Sequence, residues 1–410
     1  MSCLRSPLKS LCGLLAFNPA KQIPPTGQSD LCKRCRRLQF DNAFLDHGLS
    51  NEEEIELGAF AFNAIGKSPK CQIAVGTIQD LQGSQLCSFC QMILAAIREQ
   101  YSTQGEILDP SGQYQVRWRY VRHKFIRNEE DDGRYTAYME ILSSGNSKLS
   151  EGCFNFKHEI KRKLVRSIIA PVSKPGSQKW LWSRELLEKV NSLQVKKWIQ
   201  NCEQWHKDSC VELSTEQAAQ LPSTSFRLID VDDMCIVIPV MPCRYLALSY
   251  VWGRNGENSF LALKNNIASL AEPRGLNIVL NLLPPTISDA ITITRDLGER
   301  YLWVDSLCIV QDDAESKEEN IASMPLVYKG STLTLVAGTG DSAISGLAGV
   351  QSGSRVRSQR ILTLGRDKKL ALVDDIELLL VKSPWDSRGW TYVVLRKSLI
   401  FGTKLTSSVL

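Results

Sequence analysis

Five segments between Arg244 and Gly338 decide the fold: RYLALSYVWG (Arg244–Gly253), LPPTISDAITITRDLG (Leu283–Gly298), YLWVDSLCIV (Tyr301–Val310), DAESKEENIASMPLVYKG (Asp313–Gly330) and STLTLVAG (Ser331–Gly338). The first, third and fifth are compact runs of aliphatic, aromatic and β-branched residues, the pattern of buried strands. The second has helical period, prolines at its start, Thr286 or Ser288 near the cap and Gly298 as its stop. The fourth is a second helix. Strand, helix, strand, helix, strand with short connections predicts right-handed βαβ units and a parallel sheet. Parallel sheets place their ligands beyond the C-terminal strand ends, here the loops after Tyr250, Asp305 and Ala337. Just upstream, FRLIDV (Phe226–Val231) and CIVIPV (Cys235–Val240) add two short β-branched runs.

Working outward toward the N-terminus, the texture changes near residue 220. CSFCQMILAAIREQYS (Cys87–Ser102) has helical period, and the alternating QYQVRWRYV (Gln113–Val121) and RYTAYMEIL (Arg134–Leu142) read as half-buried strands around the turn EEDDGR. A long periodic segment, Trp182–His206, predicts a helix that links the halves. The expected organisation is a frayed tail over 1–29, a cysteine-containing α+β region with its linker helix over 30–220, and an α/β domain over 221–410.

At 410 residues the chain has room for two or three domains, and 43% hydrophobic with 23% charged residues is ordinary for globular proteins. A net charge of +5 over this length argues against nucleic acid as a partner. The basic runs CKRCRR and KHEIKRK read as solvated faces rather than a nucleic-acid groove. No apolar run is long enough to span a bilayer, and a cytoplasmic location, with the nucleus as the alternative, suits the thiol content.

Thirteen cysteines face only four histidines, and an odd count cannot pair completely into disulfides. Cys32 and Cys35 form one CxxC, Cys87 and Cys90 another. A CxxC turn presents two sulfurs to one ion, so two such turns can close a four-thiolate zinc site. The competing reading is four cysteines that merely pack, and the spacing leaves both open. Cys202, His206 and Cys210 form a weaker candidate set, which Cys71 or Cys153 would have to complete. The four histidines, His47, His123, His158 and His206, all precede the α/β half. An in-domain imidazole therefore cannot activate a serine or cysteine nucleophile there, and Cys308, placed in a strand, reads as a buried inert thiol. GTGDSA (Gly338–Ala343) matches GxGxxA after a strand but lacks a following helical pattern, and no Walker A sequence is present.

The blocks quoted above, together with DSAISGLAGV (Asp341–Val350) and SPWDSRGWTY (Ser383–Tyr392), resemble the fungal heterokaryon-incompatibility (HET) domain in order and spacing, from about residue 245 to 401. The resemblance implies a role in self/non-self recognition and programmed cell death, exerted through a protein partner or self-association. It also implies a TIR-like, flavodoxin-type parallel sheet. Some TIR domains cleave NAD(P) with a glutamate four residues after a tryptophan, which makes NAD(P) the substrate such a site would take. On that reading the pocket is lined by Tyr250, Trp252, Gly253, Asp305, Gln311, Asp312, Arg388 and Trp390. This sequence departs from the family at the decisive place: four residues after Trp390 stands Val394, which carries no charge, although Glu299 or Asp312 can be considered as substitutes. The spacing to LRKSLIF is also short and the chain ends at Leu410, as expected of a divergent or truncated member without catalysis. A third expectation is a zinc-stabilised interaction scaffold.

Overall fold

A computed structural model describes residues 30–38, 40, 72–104, 112–122, 135–144, 164–172, 183–205, 215–222, 224–253, 260–338, 340–355, 359–364, 368–373, 383–386, 398–401 and 406–409. The N-terminal part begins with a 3-10 turn at Cys35–Arg37, followed by β1 (Gln72–Gly76), α1 (Ile78–Gly83), α2 (Ser88–Gln104), β2 (Gln113–Arg122), β3 (Tyr135–Ser144) and β4 (Leu164–Pro171). Helices α3 (Ser192–Trp205) and α4 (Thr215–Ala218) lead to the short strands β5 (Leu228–Asp230) and β6 (Cys235–Val237). The central run is β7 (Leu246–Ser249), α5 (Ile267–Ala271), α6 (Gly275–Ile278), α7 (Pro285–Asp296), β8 (Tyr301–Trp303), α8 (Asp305–Cys308), α9 (Ala314–Gly330) and β9 (Leu333–Ala337). Strands β10 (Ile361–Leu364), β11 (Lys368–Val373), β12 (Ser398–Phe401) and β13 (Thr406–Val409) complete the described chain.

These strands form two sheets. One is six-stranded and antiparallel, in the order β1-β2-β3-β4-β11-β10; the other is seven-stranded, in the order β13-β12-β9-β7-β8-β5-β6. In the second, β8, β7, β9 and β12 run parallel to one another, whereas β5, β6 and β13 are paired antiparallel at the edges. The all-parallel sheet expected from the sequence is thus corrected to a mixed one. The physical reason lies in the connections: β5 and β6 are joined by the tight turn Val231–Met234, which only an antiparallel pair can use.

Local chemistry explains most element boundaries. Helix α7 starts with Pro285 in its first turn and is stopped by Gly298, which takes φ +73°. Neither Thr286 nor Ser288 caps it, because Thr286 is buried and accepts a hydrogen bond from Gly346 N instead. The expected ten-residue strand over Tyr301–Val310 is only three residues long, and the chain turns at Val304 into the short helix α8. Cys308 therefore lies in that helix, where its sulfur accepts from Val304 N and its burial pushes the thiol up to about 12. The linker helix is also shorter than its period suggests: residues 183–190 are not helical, and α3 spans Ser192–Trp205.

Each sheet carries a distinct apolar core. The larger unites β5 to β9 with α3, α7 and α9 around the fully buried Trp303, Trp385, Tyr245 and Tyr250. The smaller joins Leu31, Cys35, Leu38 and Phe40 to α1, α2 and the antiparallel sheet, and includes Leu362, Leu364, Leu370 and Leu372 from β10 and β11. The hairpin near the chain's end thus packs with the cysteine-bearing segments, 270 or so residues earlier by sequence count. Among the described residues no helix is long and apolar enough to cross a membrane.

Candidate functional site

Strand order reverses beside β7: the chain passes to β8 on one side, then returns to β9 and β12 on the other. Loops at the C-terminal ends of such strands diverge and leave a crevice, the usual place for a ligand in an open α/β sheet. Three of these loops meet here. After β7, Tyr250 Oη donates to Ser306 Oγ at 2.9 Å, and Trp252 Nε1 reaches Asp305 Oδ1 at 3.0 Å and Oδ2 at 2.9 Å. Asp305 Oδ1 also accepts from Ser306 N at 2.8 Å, so the carboxylate braces the start of α8 while holding the indole. After β9, Ala343 N donates to Trp252 O at 3.4 Å. Gly253 has φ +105°, and a Cβ there would lie 3.2 Å from Ser342 Cβ, so glycine permits both the turn and the close approach.

The remaining predicted pocket residues are placed differently. Gln311 Nε2 donates to Asp305 O and Ile309 O, both at 3.0 Å, and acts as a clasp on the turn after α8. Asp312 is exposed and accepts from Lys264 N at 2.8 Å. Glu299, at the opposite, N-terminal end of β8, is ion-paired with Arg244 at 2.7 Å. Arg388, Trp390 and Val394 lie outside the described residues. Asp341, beside the crevice loops, has its carboxyl pulled below the usual range by hydroxyl hydrogen bonds from Ser342 and Ser345.

The second candidate is the four-cysteine cluster. The sulfurs of Cys32, Cys35, Cys87 and Cys90 all lie within 4.8 Å of one another. Cys90 Sγ is 3.8 Å from Cys32 Sγ and 3.5 Å from Cys35 Sγ. Those separations are far beyond a disulfide bond, about 2.0 Å. They match the roughly 3.8 Å edge of a tetrahedron whose metal–sulfur bonds are about 2.3 Å. Cys87 and Cys90 stand at the start of α2, and the Cys35–Arg37 turn brings the other pair onto them. Arg34 fastens that turn, donating to Val75 O at 2.9 Å and Ser84 Oγ at 3.1 Å, while Phe40 packs edge-on against Phe89 at 5.1 Å between centroids. With protons alone to share, hydrogen bonds from Cys35 and Cys90 hold the Cys87 thiol well below its ordinary range, and the same contacts push Cys35 up. Four convergent soft donors, three of them buried, therefore form a set that can hold one metal ion. Cys202 is buried on α3, and His206 and Cys210, the rest of the other proposed ligand set, lie outside the described residues.

The family described as Heterokaryon incompatibility protein (HET) matches residues 245–393. Over those residues the chain is similar to the HET domain. Heterokaryon incompatibility protein 6, OR allele, from Neurospora crassa is 31% identical over 124 residues, which cover 26% of this chain and 18% of that protein. The chain thus spans under a fifth of the length of that relative. No solved structure matches it.

Two groups inside the HET domain were missed by the sequence reading. Trp385, fully buried, donates from Nε1 to Ser249 Oγ at 2.9 Å and so brings a fourth segment to the end of β7. Its SPW setting was visible, but nothing in the sequence distinguished it from Trp390. The other is Asp289 on α7, which is buried and accepts from Leu347 N and Gln351 Nε2, both at 2.8 Å. An acid within an otherwise apolar helical face, DAITI, was the available signal. The HET domain boundary also encloses β10 and β11, although these strands belong to the antiparallel sheet.

Proposed function

We propose that this chain acts in fungal heterokaryon incompatibility, in the self/non-self recognition that leads to programmed cell death, through self-association or contact with a partner protein rather than catalysis. The observation that carries the role is the HET match over residues 245–393, whose blocks build the crossing point of the strand-end loops. Support for the non-catalytic form comes from the buried carboxylate there: both oxygens of Asp305 are engaged, Oδ1 by Trp252 Nε1 and Ser306 N and Oδ2 by Trp252 Nε1. An acid that stabilises a developing positive charge must instead present an oxygen to the ligand. The test is inducible expression in a filamentous fungus. Growth arrest with uptake of a viability dye is expected; colonies that grow like the empty-vector control would refute the role.

A TIR-like, flavodoxin-type architecture is the finer fold reading. The spatial order β8-β7-β9-β12, second strand, first, third, fourth, supports it. It also gives the one observation in favour of a second reading, an NAD(P)-cleaving hydrolase using the β7/β9 crevice. Incubating the purified chain with NAD or NADP and following nicotinamide release separates the two. No turnover is expected, and turnover abolished by Asp305→Ala establishes the hydrolase.

For the four cysteines we infer a structural zinc, supported by the tetrahedral sulfur separations and the burial of Cys35, Cys87 and Cys90. Such an ion supplies folding energy and no open position for chemistry. Elemental analysis of protein kept reduced should find about one zinc per chain.

A further inference from the structure

We propose that the ion held by Cys32, Cys35, Cys87 and Cys90 controls the strand-end loop of the HET domain through the β10–β11 hairpin; this rests on the zinc reading above. Cys35, Cys87 and Cys90 share one apolar core with Phe89, Met92, Ile93 and Ile97 of α2 and with Leu362, Leu364, Leu370 and Leu372 of the hairpin. The hairpin is a strand pair of the antiparallel sheet, bonded to β4 from Leu370↔Pro171 to Val373↔Ile168. Whatever fixes α2 therefore fixes the hairpin.

From the hairpin, the chain just upstream is strapped to residues 186–190. Gln359 Oε1 accepts from Leu186 N at 3.0 Å, Arg355 donates to Leu187 O, Gly353 N donates to Glu188 Oε1 at 3.0 Å, and Val190 N donates to Gly349 O at 2.8 Å. The next residues back, Gly346, Leu347 and Gln351, are held by Thr286 and Asp289 of α7. Ser342 and Ala343 then touch Gly253 and Trp252 at the end of β7. Residues 341–373 thus have one end in the crevice and the other in the cysteine core.

Why the ion should matter follows from chain entropy. Its ligands are 55 and 58 residues apart across the Cys35–Cys90 and Cys32–Cys90 contacts, so it would offset the entropy of closing a loop of that length, beside apolar contacts and the hydrogen bonds of Arg34. Release frees the 30–40 segment, uncovers part of the small core and loosens α2 against the hairpin. The larger core shares none of these residues.

The test is amide hydrogen exchange on the full chain, first loaded with one zinc, then stripped with a chelator under reducing conditions, then reloaded. Stripping should speed exchange about tenfold or more over residues 361–373 and 347–359, leave β7 and β9 within about twofold, and be reversed by zinc. Acceleration confined to residues 30–104 overturns the proposal while leaving the zinc reading intact. Equal acceleration in β7 and β9 also overturns it, since the ion would then hold the whole chain together. A chain that carries no ion and shows no thiolate-to-cobalt absorption on titration with Co(II) sinks the zinc reading first. Leu370→Ala supplies an arm that keeps all four sulfurs: zinc content should stay at one per chain while residues 347–359 exchange faster. Wild-type exchange there refutes the coupling.

Discussion

The two cores of this molecule are assembled in opposite ways. The larger draws mainly on residues between Val195 and Leu347, plus Trp385, and its strands and helices follow one another as short βαβ steps. Each step buries a face against its sequence neighbour, so chain entropy is lost in small increments. The smaller core gathers residues from Leu31 to Leu372. It closes long loops around a modest apolar volume, and a cluster of four sulfurs sits where the 32–35 segment meets the start of α2. The difference teaches that cysteine has two roles here. In the larger core a thiol such as Cys308 packs singly; in the smaller one four thiols converge into a set that can hold a metal ion.

The strongest way to break that comparison is to make the same kind of substitution in both cores. Cys35→Ala removes a fully buried sulfur from the cluster and is expected to abolish zinc retention, with a loss of several kcal/mol from the antiparallel sheet. Cys308→Ala should cost only about 1–2 kcal/mol and leave zinc content unchanged, because it forfeits packing and one weak hydrogen bond from Val304 N. Zinc analysis and urea unfolding followed on both variants check this. Equal losses would show that the sulfurs of the cluster also act only as packing groups.

A smaller effect is expected where the HET domain holds its own loop. Asp289→Ala removes the acceptor for Leu347 N and Gln351 Nε2, leaving the buried Leu347 N without that partner. The expected cost is about 2–3 kcal/mol, with faster proteolytic cleavage within residues 346–355. Unchanged stability and cleavage would mean that the β10–β11 hairpin alone fixes this loop, which would shift the weight of the comparison toward the smaller core.

Much of the larger core was legible because its signals are local. Apolar runs such as LALS and LTLVA are short enough to be strands only, and Pro285 and Gly298 mark the ends of α7 by backbone chemistry alone. The ligand-side loops followed from the direction of the strands. Local reading failed where tertiary contacts outvoted it. YLWVDSLCIV looks like one strand, yet Asp305 turns it into a helix to brace the indole of Trp252. The hairpin ILTL and KKLALV could not be assigned to the antiparallel sheet, because strand alternation names a face and not a partner. The cysteine cluster lay between. Two CxxC pairs name the donors, but their convergence depends on how Arg34 and Phe40 seat the first turn, which no spacing encodes.

The smallest expected effect sharpens the comparison inside the larger core. Tyr250 Oη and Ser306 Oγ are both buried and lie 2.9 Å apart, joining the end of β7 to α8. Tyr250→Phe keeps the ring and removes the donor; Ser306→Ala removes the acceptor and leaves Ser306 N free to keep its bond to Asp305. Each single change should cost about 1 kcal/mol, since it strands one buried polar group. The double variant should cost less than the sum of the two, because no unpaired partner remains for the second change to create. Thermal unfolding of all four proteins measures the coupling. Additive costs would mean that the two hydroxyls do not depend on one another.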